Sequence, residues 1–137
     1  MTIKVLLDSN FLFIPFQFQV DIFEGLMNLL NQQFEPILLS STYQEVLRIA
    51  KEGSPKLRRQ ASLALKLAEK CQIIQIEPCP SESHDDVIVR VAKEWRCPVA
   101  TNDMALRKRL RKERIPTIFL RQRAYFATEG LFPDSRS

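Results

Sequence analysis

The chain has 137 residues, a formal net charge of +4, and 45% hydrophobic and 26% charged residues. That is enough chain for one domain with a substantial core, and its composition is that of a globular protein rather than a disordered or fibrous one. No apolar run approaches the roughly 20 residues of a membrane helix, and no secretory leader pattern opens the chain, so the expectation is a cytoplasmic protein with no membrane partner.

Three cysteines, Cys71, Cys79 and Cys97, form no CxxC pair, and His84 is the one histidine. Structural zinc wants four closely spaced Cys/His ligands and is excluded; reduced thiols are expected. With three glycines, none in tandem, a phosphate-cradling loop is excluded too. The charge is uneven: residues 1–47 hold one basic residue against five acids, whereas residues 101–123 hold eight basic residues against two acids. An acidic site with a basic flank suits a polyanion held in place while a metal acts on it.

In chain order, Ile3 to Leu7 is apolar except for Lys4 and ends abruptly in Asp8-Ser9-Asn10, the pattern of a buried parallel strand. Residues 11–20 hold four phenylalanines and Pro15; the proline predicts an irregular connection rather than a continuous helix. From Asp21, the spacing of Ile22, Leu26, Leu29 and Leu30 predicts a helix to about Gln33. Ile37-Leu38-Leu39 predicts a second strand. Ser41 to Gln44 has the capping-box pattern, which predicts a helix to about Lys51 with Glu45 in its first turn. Ser54-Pro55 predicts the next helix, to about Lys70. Ile73 to Ile76 reads as strand three, and Ser83 as the cap of a helix carrying Val87, Val91, Ala92 and Trp95. Pro98 to Thr101 is strand four, a basic helix runs from Asn102 or Asp103 to about Arg114, and Pro116 to Leu120 is strand five. Short strands alternating with helices predict a three-layer α/β/α sandwich on a central, mainly parallel five-stranded sheet. The domain is expected over residues 1–132, with a flexible end at 133–137.

The acids fall at comparable places on that scaffold. Asp8 follows strand one, Asp103 follows strand four, and Glu45, Asp85 and Asp86 open helices. If the connections reverse direction between strands one and four, a crevice opens there above the carboxyl ends. Two carboxylates 4 Å apart repel by about 4 kcal/mol at an effective dielectric of 20, a conflict that a divalent cation removes. All-oxygen ligation selects Mg²⁺ or Mn²⁺, as one or two ions able to activate a water against a phosphodiester. Each acid also has a plain reading: Asp8 as a turn residue, Glu45 and Asp85 as complements to a helix dipole, Asp86 as the partner of Ser83 in a capping box, and Asp103 as a helix cap. His84 reads as an incidental first-turn histidine. Ser9, Asn10, Thr101 and Asn102 stand beside the acids, where they can orient ligands or waters.

The order Asp8-Ser9-Asn10, then Glu45, then Asp85-Asp86-Val87-Ile88, then Thr101-Asn102-Asp103 resembles the PIN-domain ribonucleases, over residues 3 to about 120. Val99-Ala100-Thr101-Asn102-Asp103 followed by Leu106 and a basic helix is the most specific part. The resemblance implies a PIN-like fold and a metal-dependent endoribonuclease whose catalytic, metal-holding acids are Asp8, Glu45, Asp85 and Asp103. The family's spacing of Asp, two residues, then Ile selects Asp85 with Ile88; Asp86 is counted as a further metal ligand. Ile14-Pro15 through Phe23 and the Arg/Lys-rich helix look like the branch that processes pre-ribosomal RNA, whose partners are RNA, single-stranded or structured, and ribosome-assembly proteins. The VapC-type toxins share acids and fold, and that branch would supply an antitoxin as partner. The family's tendency to dimerise adds a homodimer, to which Tyr125, Phe126, Leu131 and Phe132 can contribute.

Arg107, Lys108, Arg111 and Lys112 recur at i, i+4 spacing and can project from one helix face to track phosphates, with Arg121 and Arg123 extending it. Phe11, Phe13, Phe16 and Phe18 read as core or dimer packing, with base stacking as the alternative. Two other classes compete with the nuclease: a non-catalytic RNA- or protein-binding scaffold, and a phosphoacceptor receiver domain. The receiver needs an acidic acceptor after strand three and a lysine after strand five, where this chain has Glu77-Pro78 and Arg121.

Overall fold

A computed structural model describes residues 2–130. The expected domain end near 132, the flexible stretch 133–137, and Leu131 and Phe132 lie outside the described residues.

The elements are β1 (Ile3–Leu7), α1 (Ser9–Phe18), α2 (Ile22–Leu30), β2 (Phe34–Leu39), α3 (Ser40–Glu52), α4 (Pro55–Ala68), β3 (Gln72–Ile74), α5 (His84–Trp95), β4 (Val99–Ala100), α6 (Met104–Lys112), β5 (Thr117–Arg121) and β6 (Tyr125–Glu129). One sheet holds all the strands in the order β3-β2-β1-β4-β5-β6, parallel except for β6, which runs antiparallel to β5. The chain therefore builds outward from β1 through β2 to β3, then crosses to the other side of β1 for β4 and β5. Direction reverses between β1 and β4, which meets the condition for a crevice above their carboxyl ends.

Alternation along the strands divides the core in two, because successive side chains leave a strand on opposite faces. Val5, Leu7, Leu38 and Ala100 face one layer with residues of α1, α2, α3 and α4, while Leu6, Ile37, Leu39 and Val99 face a second with α5 and α6. Three layers result. Pro36 sits inside β2 without harm: it is paired with Val5 of β1, and β3 pairs only from Ile37 onward.

Four local expectations are corrected. The segment after Asp8 is a helix despite Pro15, because Phe11, Leu12, Phe13 and Ile14 are buried in the core and that packing outweighs the missing hydrogen bond. The Ser41–Gln44 capping box does not form. β2 runs straight into α3, whose N-cap is Leu39 with no side-chain cap bond, so Glu45 falls in the second turn. β3 stops at Ile74, and the Ile76 backbone N–H donates instead to the Ser40 hydroxyl at 3.0 Å. The sheet has a sixth strand, β6. Its Phe126 is buried and lies 5.2 Å from the Phe11 ring, and a Cβ placed on Gly25 of α2 would collide with that same ring. Phe126 is thus core and unavailable for a dimer contact; Tyr125 beside it is exposed. Among the described residues no helix is long and apolar enough to cross a membrane, and all three cysteines are free.

Candidate active site

The carboxyl ends of β1 and β4 supply the centre of the site. Asp8 ends β1, caps α1 by accepting from the Ser9 N–H at 2.8 Å, and is 3% exposed. A buried carboxylate needs donors, and these come from its neighbours: Thr101 Oγ1 donates to Oδ2 at 2.7 Å and Asn10 Nδ2 at 2.9 Å. Thr101, at the end of β4, also accepts from the Asp103 N–H at 3.1 Å. Asn10 Oδ1 accepts from the Asn102 N–H at 3.0 Å, and Asn102 Oδ1 accepts from the Leu120 N–H of β5 at 2.8 Å. This chain of bonds stitches the ends of β1, β4 and β5 around one carboxylate. Asn102 serves it from the β5 side, outside the residues that line the pocket.

A pocket of about 290 Å³ opens at this point, lined by Asp8, Ser9, Asn10, Glu45, His84, Asp85 and Asp103 on its polar side and by Phe13, Ile49 and Leu57, with Gln17, on the other. Four of the five sequence-predicted acids are brought together. Ser9 Oγ donates to Glu45 Oε2 at 3.3 Å, tying the second turn of α3 to the start of α1. Asp103 both lines the pocket and caps α6, accepting from the Ala105 and Leu106 N–H groups at 2.8 and 3.2 Å. The Asp85 carboxyl is held above the usual carboxylate range, by burial first and then by the charges of Asp8 and Asp103, against a partial pull from His84 and Arg109.

Asp86 is placed elsewhere. Its side chain accepts from the Ser83 N–H at 2.9 Å while Ser83 Oγ accepts from its own N–H, completing a capping box, and it pairs with Arg109 at 2.8 Å. The plain reading of that residue is the one the geometry supports, and it does not line the pocket. The helix-start hydrogen bonds and Arg109 together keep its carboxyl below the ordinary range.

His84, read from the sequence as incidental, is at the centre of the acids. Its Nε2 lies 3.0 Å from Glu45 Oε2 and 3.3 Å from Asp8 Oδ1, while Nδ1 is buried without a partner among the described residues. Burial depresses its basicity, but Asp8, Glu45 and Asp85 together outweigh that and raise its pKa above the ordinary value. A signal existed in Ser83: a cap at the rim of the crevice aims the first residue of α5 into it. The apolar wall of Phe13, Ile49 and Leu57 had no such signal, because it joins three helices.

The basic helix is less free than its sequence suggests. Arg107 lays its guanidinium 3.5 Å from the centre of the Phe119 ring and, with Arg111, reaches Glu129 of β6, at 3.9 and 2.8 Å respectively. Arg109 is taken by Asp86. Lys108, Lys112 and Arg121 are each exposed or half-buried at most and have no ion pair among the described residues.

The donor set fits a divalent cation by its chemistry: hard carboxylate oxygens from four parts of the chain, one of them, Asp85, disfavoured as an anion by burial and by its neighbours, with Asp8 and Glu45 both facing the His84 Nε2. As they are placed, no group of three His, Cys, Asp or Glu among the described residues stands close enough together to hold an ion.

Residues 5–123 match the family described as PIN like domain. The chain is 30% identical to ribonuclease VapC4 of Methanocaldococcus jannaschii over 129 residues, 93% of this chain and 98% of that protein. It is 32% identical to the rRNA-processing protein FCF1 of Saccharomyces cerevisiae over 111 residues, 80% of this chain and 54% of that protein, so it spans about half the length of that relative. Its fold is similar to the solved structure of the PIN domain endonuclease Utp24, with a TM-score of 0.75 at 28% identity, covering 94% of this chain and 92% of that one. With the acids, the switch point and the sheet order in place, the chain belongs to the PIN-like domain family.

Proposed function

We propose that the protein is a metal-dependent endoribonuclease, with Asp8, Glu45, Asp85 and Asp103 holding Mg²⁺ or Mn²⁺ as one or two ions. The observation that carries this reading is the convergence of the four carboxylates on one pocket at the switch point of the sheet, with Asp85 destabilised as an anion by its neighbours. The bound ion would supply a nucleophilic water at neutral pH and charge stabilisation at the departing oxygen. The chain's own residues do the positioning. Thr101, Asn10 and the Ser9 N–H fix Asp8 in one rotamer. The Phe13, Ile49 and Leu57 wall offers an apolar surface to a nucleotide on one side of the pocket. Lys108, Lys112, Arg121 and Arg123 are exposed, have no ion pair among the described residues and are free to hold phosphates, while Arg107 and Arg111 share themselves with Glu129.

The test is a closed circular single-stranded RNA, which has no end for an exonuclease. Linearisation in Mn²⁺ or Mg²⁺ that stops on chelation is expected; an intact circle alongside trimmed linear RNA would reject internal cleavage, and intact RNA of both kinds would favour a non-catalytic RNA-binding scaffold.

The substrate proposed is a ribosomal RNA precursor, on the likeness to FCF1 and Utp24 in sequence and fold. A second reading, a VapC-type ribonuclease controlled by an antitoxin, is favoured by one observation: the match with VapC4 spans nearly the whole of both chains. Cleavage at one defined site in precursor ribosomal RNA supports the first. Growth arrest on expression, relieved by a co-encoded partner protein, supports the second.

A further inference from the structure

We propose that His84 is itself a ligand of the metal, through Nε2, making the centre a mixed nitrogen–oxygen site that favours Mn²⁺ over Mg²⁺. This rests on reading the pocket as a metal centre, and adds to the four carboxylates a residue outside them.

The geometry comes first. Nε2 has one hydrogen-bonding position in the ring plane, yet it faces two carboxylate oxygens from different elements, Glu45 Oε2 at 3.0 Å and Asp8 Oδ1 at 3.3 Å. One N–H cannot satisfy both well. Two adjacent ligands of an octahedral ion bound at 2.0–2.1 Å stand about 2.8–3.0 Å from each other, so the Glu45 spacing is that of neighbouring ligands on one ion, and the Asp8 spacing is longer by a few tenths of an ångström.

The local structure holds the imidazole there. The Ser83–Asp86 capping box fixes the start of α5, which makes His84 the first helical residue and aims it across the crevice at the end of β1. Arg109 holds Asp86 at 2.8 Å, and Arg90, on the next turns of α5, grips Glu82 at 2.7 Å, so the segment on both sides of His84 is clamped. A side chain anchored this way loses little freedom on joining the ion. Imidazole is a borderline donor that suits first-row transition ions, whereas Mg²⁺ favours oxygen.

The test is Mn²⁺ binding followed by electron paramagnetic resonance, with pulsed measurement of nitrogen coupling to the bound ion. The wild type is expected to show coupling to an imidazole nitrogen that is absent in His84→Ala and in His84→Gln, the second variant keeping a polar side chain where alanine leaves space. Mn²⁺ affinity is expected to fall at least about 10-fold in both, the loss typical when even an outer partner of a metal ligand is removed, with a smaller fall for Mg²⁺ measured by competition. Bound Mn²⁺ without nitrogen coupling, or variants that bind it as tightly as the wild type or more so, would overturn the proposal: His84 would then occupy the place of the ion and leave when it binds. A wild type that binds no Mn²⁺, indistinguishable from Asp8→Asn, would overturn the metal centre itself and this ligand with it.

Discussion

Two charged regions meet at the carboxyl end of the sheet, and they behave differently. The acidic pocket gathers four of five predicted acids: Asp8 and Asp103 at strand ends, Asp85 at a helix start and Glu45 in the second turn of α3. The basic helix α6, one connection away, has its arginines already committed: Arg107 and Arg111 to Glu129, Arg109 to Asp86. A residue at the end of a parallel strand goes where the topology takes it. A residue on an exposed helix face is available only if no neighbouring element supplies a counter-ion, and β6 supplies one. Charge in a sequence therefore marks a site well at strand ends and around the crevice they open, and poorly on a helix face that a neighbouring strand can neutralise.

The most severe test of that contrast removes the anchor of β6. Phe126→Ala is expected to cost about 3–5 kcal/mol in chemical denaturation, as for other buried phenylalanines. An undiminished stability would mean that β6 does not hold Glu129 in place against α6. Thr101→Val sharpens the other side. It deletes the 2.7 Å donor to the buried Asp8 carboxylate, and Mn²⁺ affinity by calorimetry is expected to fall about 10–100-fold with the fold retained. Next in size is the salt dependence of single-stranded RNA binding in an Asp8→Asn background. Replacing Lys108 and Lys112 with Gln is expected to reduce the slope by about 1.4, roughly 0.7 for each phosphate contact, and replacing Arg107 and Arg111 to reduce it less. Equal losses from the two pairs would erase the distinction between free and committed cations. The smallest effect concerns the clamp before α5. Arg90 and the Cys79 backbone hold the Glu82 carboxyl below its ordinary range, so its contribution to stability is present above the unfolded-state pKa and is lost as pH falls through the folded one. Glu82→Gln should lower the melting temperature slightly at pH 7, and by less as the pH falls below the ordinary carboxylate range.

Much of this was legible in the sequence for physical reasons. The apolar run Val5-Leu6-Leu7 stopping at Asp8 states a buried strand and its functional end together, and the recurrence at Thr101-Asn102-Asp103 locates the second. Other features stayed hidden because a local rule lost to packing or had no local sign. Pro15 argued against α1, yet four buried neighbours carry the helix through it. The Ser41 capping pattern was overruled because β2 passes directly into α3. The β5–β6 hairpin turns through Gln122 and Arg123 at φ 53° and 58°, a left-handed conformation in which sequences normally place Asn or Gly, so the usual hairpin sign is missing. With β6 unseen, the burial of Phe126 and the counter-ion role of Glu129 were unseen too. His84 went unrecognised because the Ser83 cap marks the start of α5 but not the distance from that start to β1.

If the carboxylates around Asp8 hold a metal that cleaves RNA, loss of that one carboxylate stops the reaction. The most direct measurement is cleavage of end-labelled single-stranded RNA in Mn²⁺ by the wild type and by Asp8→Asn, each first shown to be folded by its thermal unfolding curve. Internal cleavage by the wild type, abolished by EDTA and reduced at least about 100-fold in the variant, is the predicted result. Cleavage that persists in folded Asp8→Asn would contradict it, because the one carboxylate to which Thr101, Asn10, Ser9 and His84 all bond would then be dispensable.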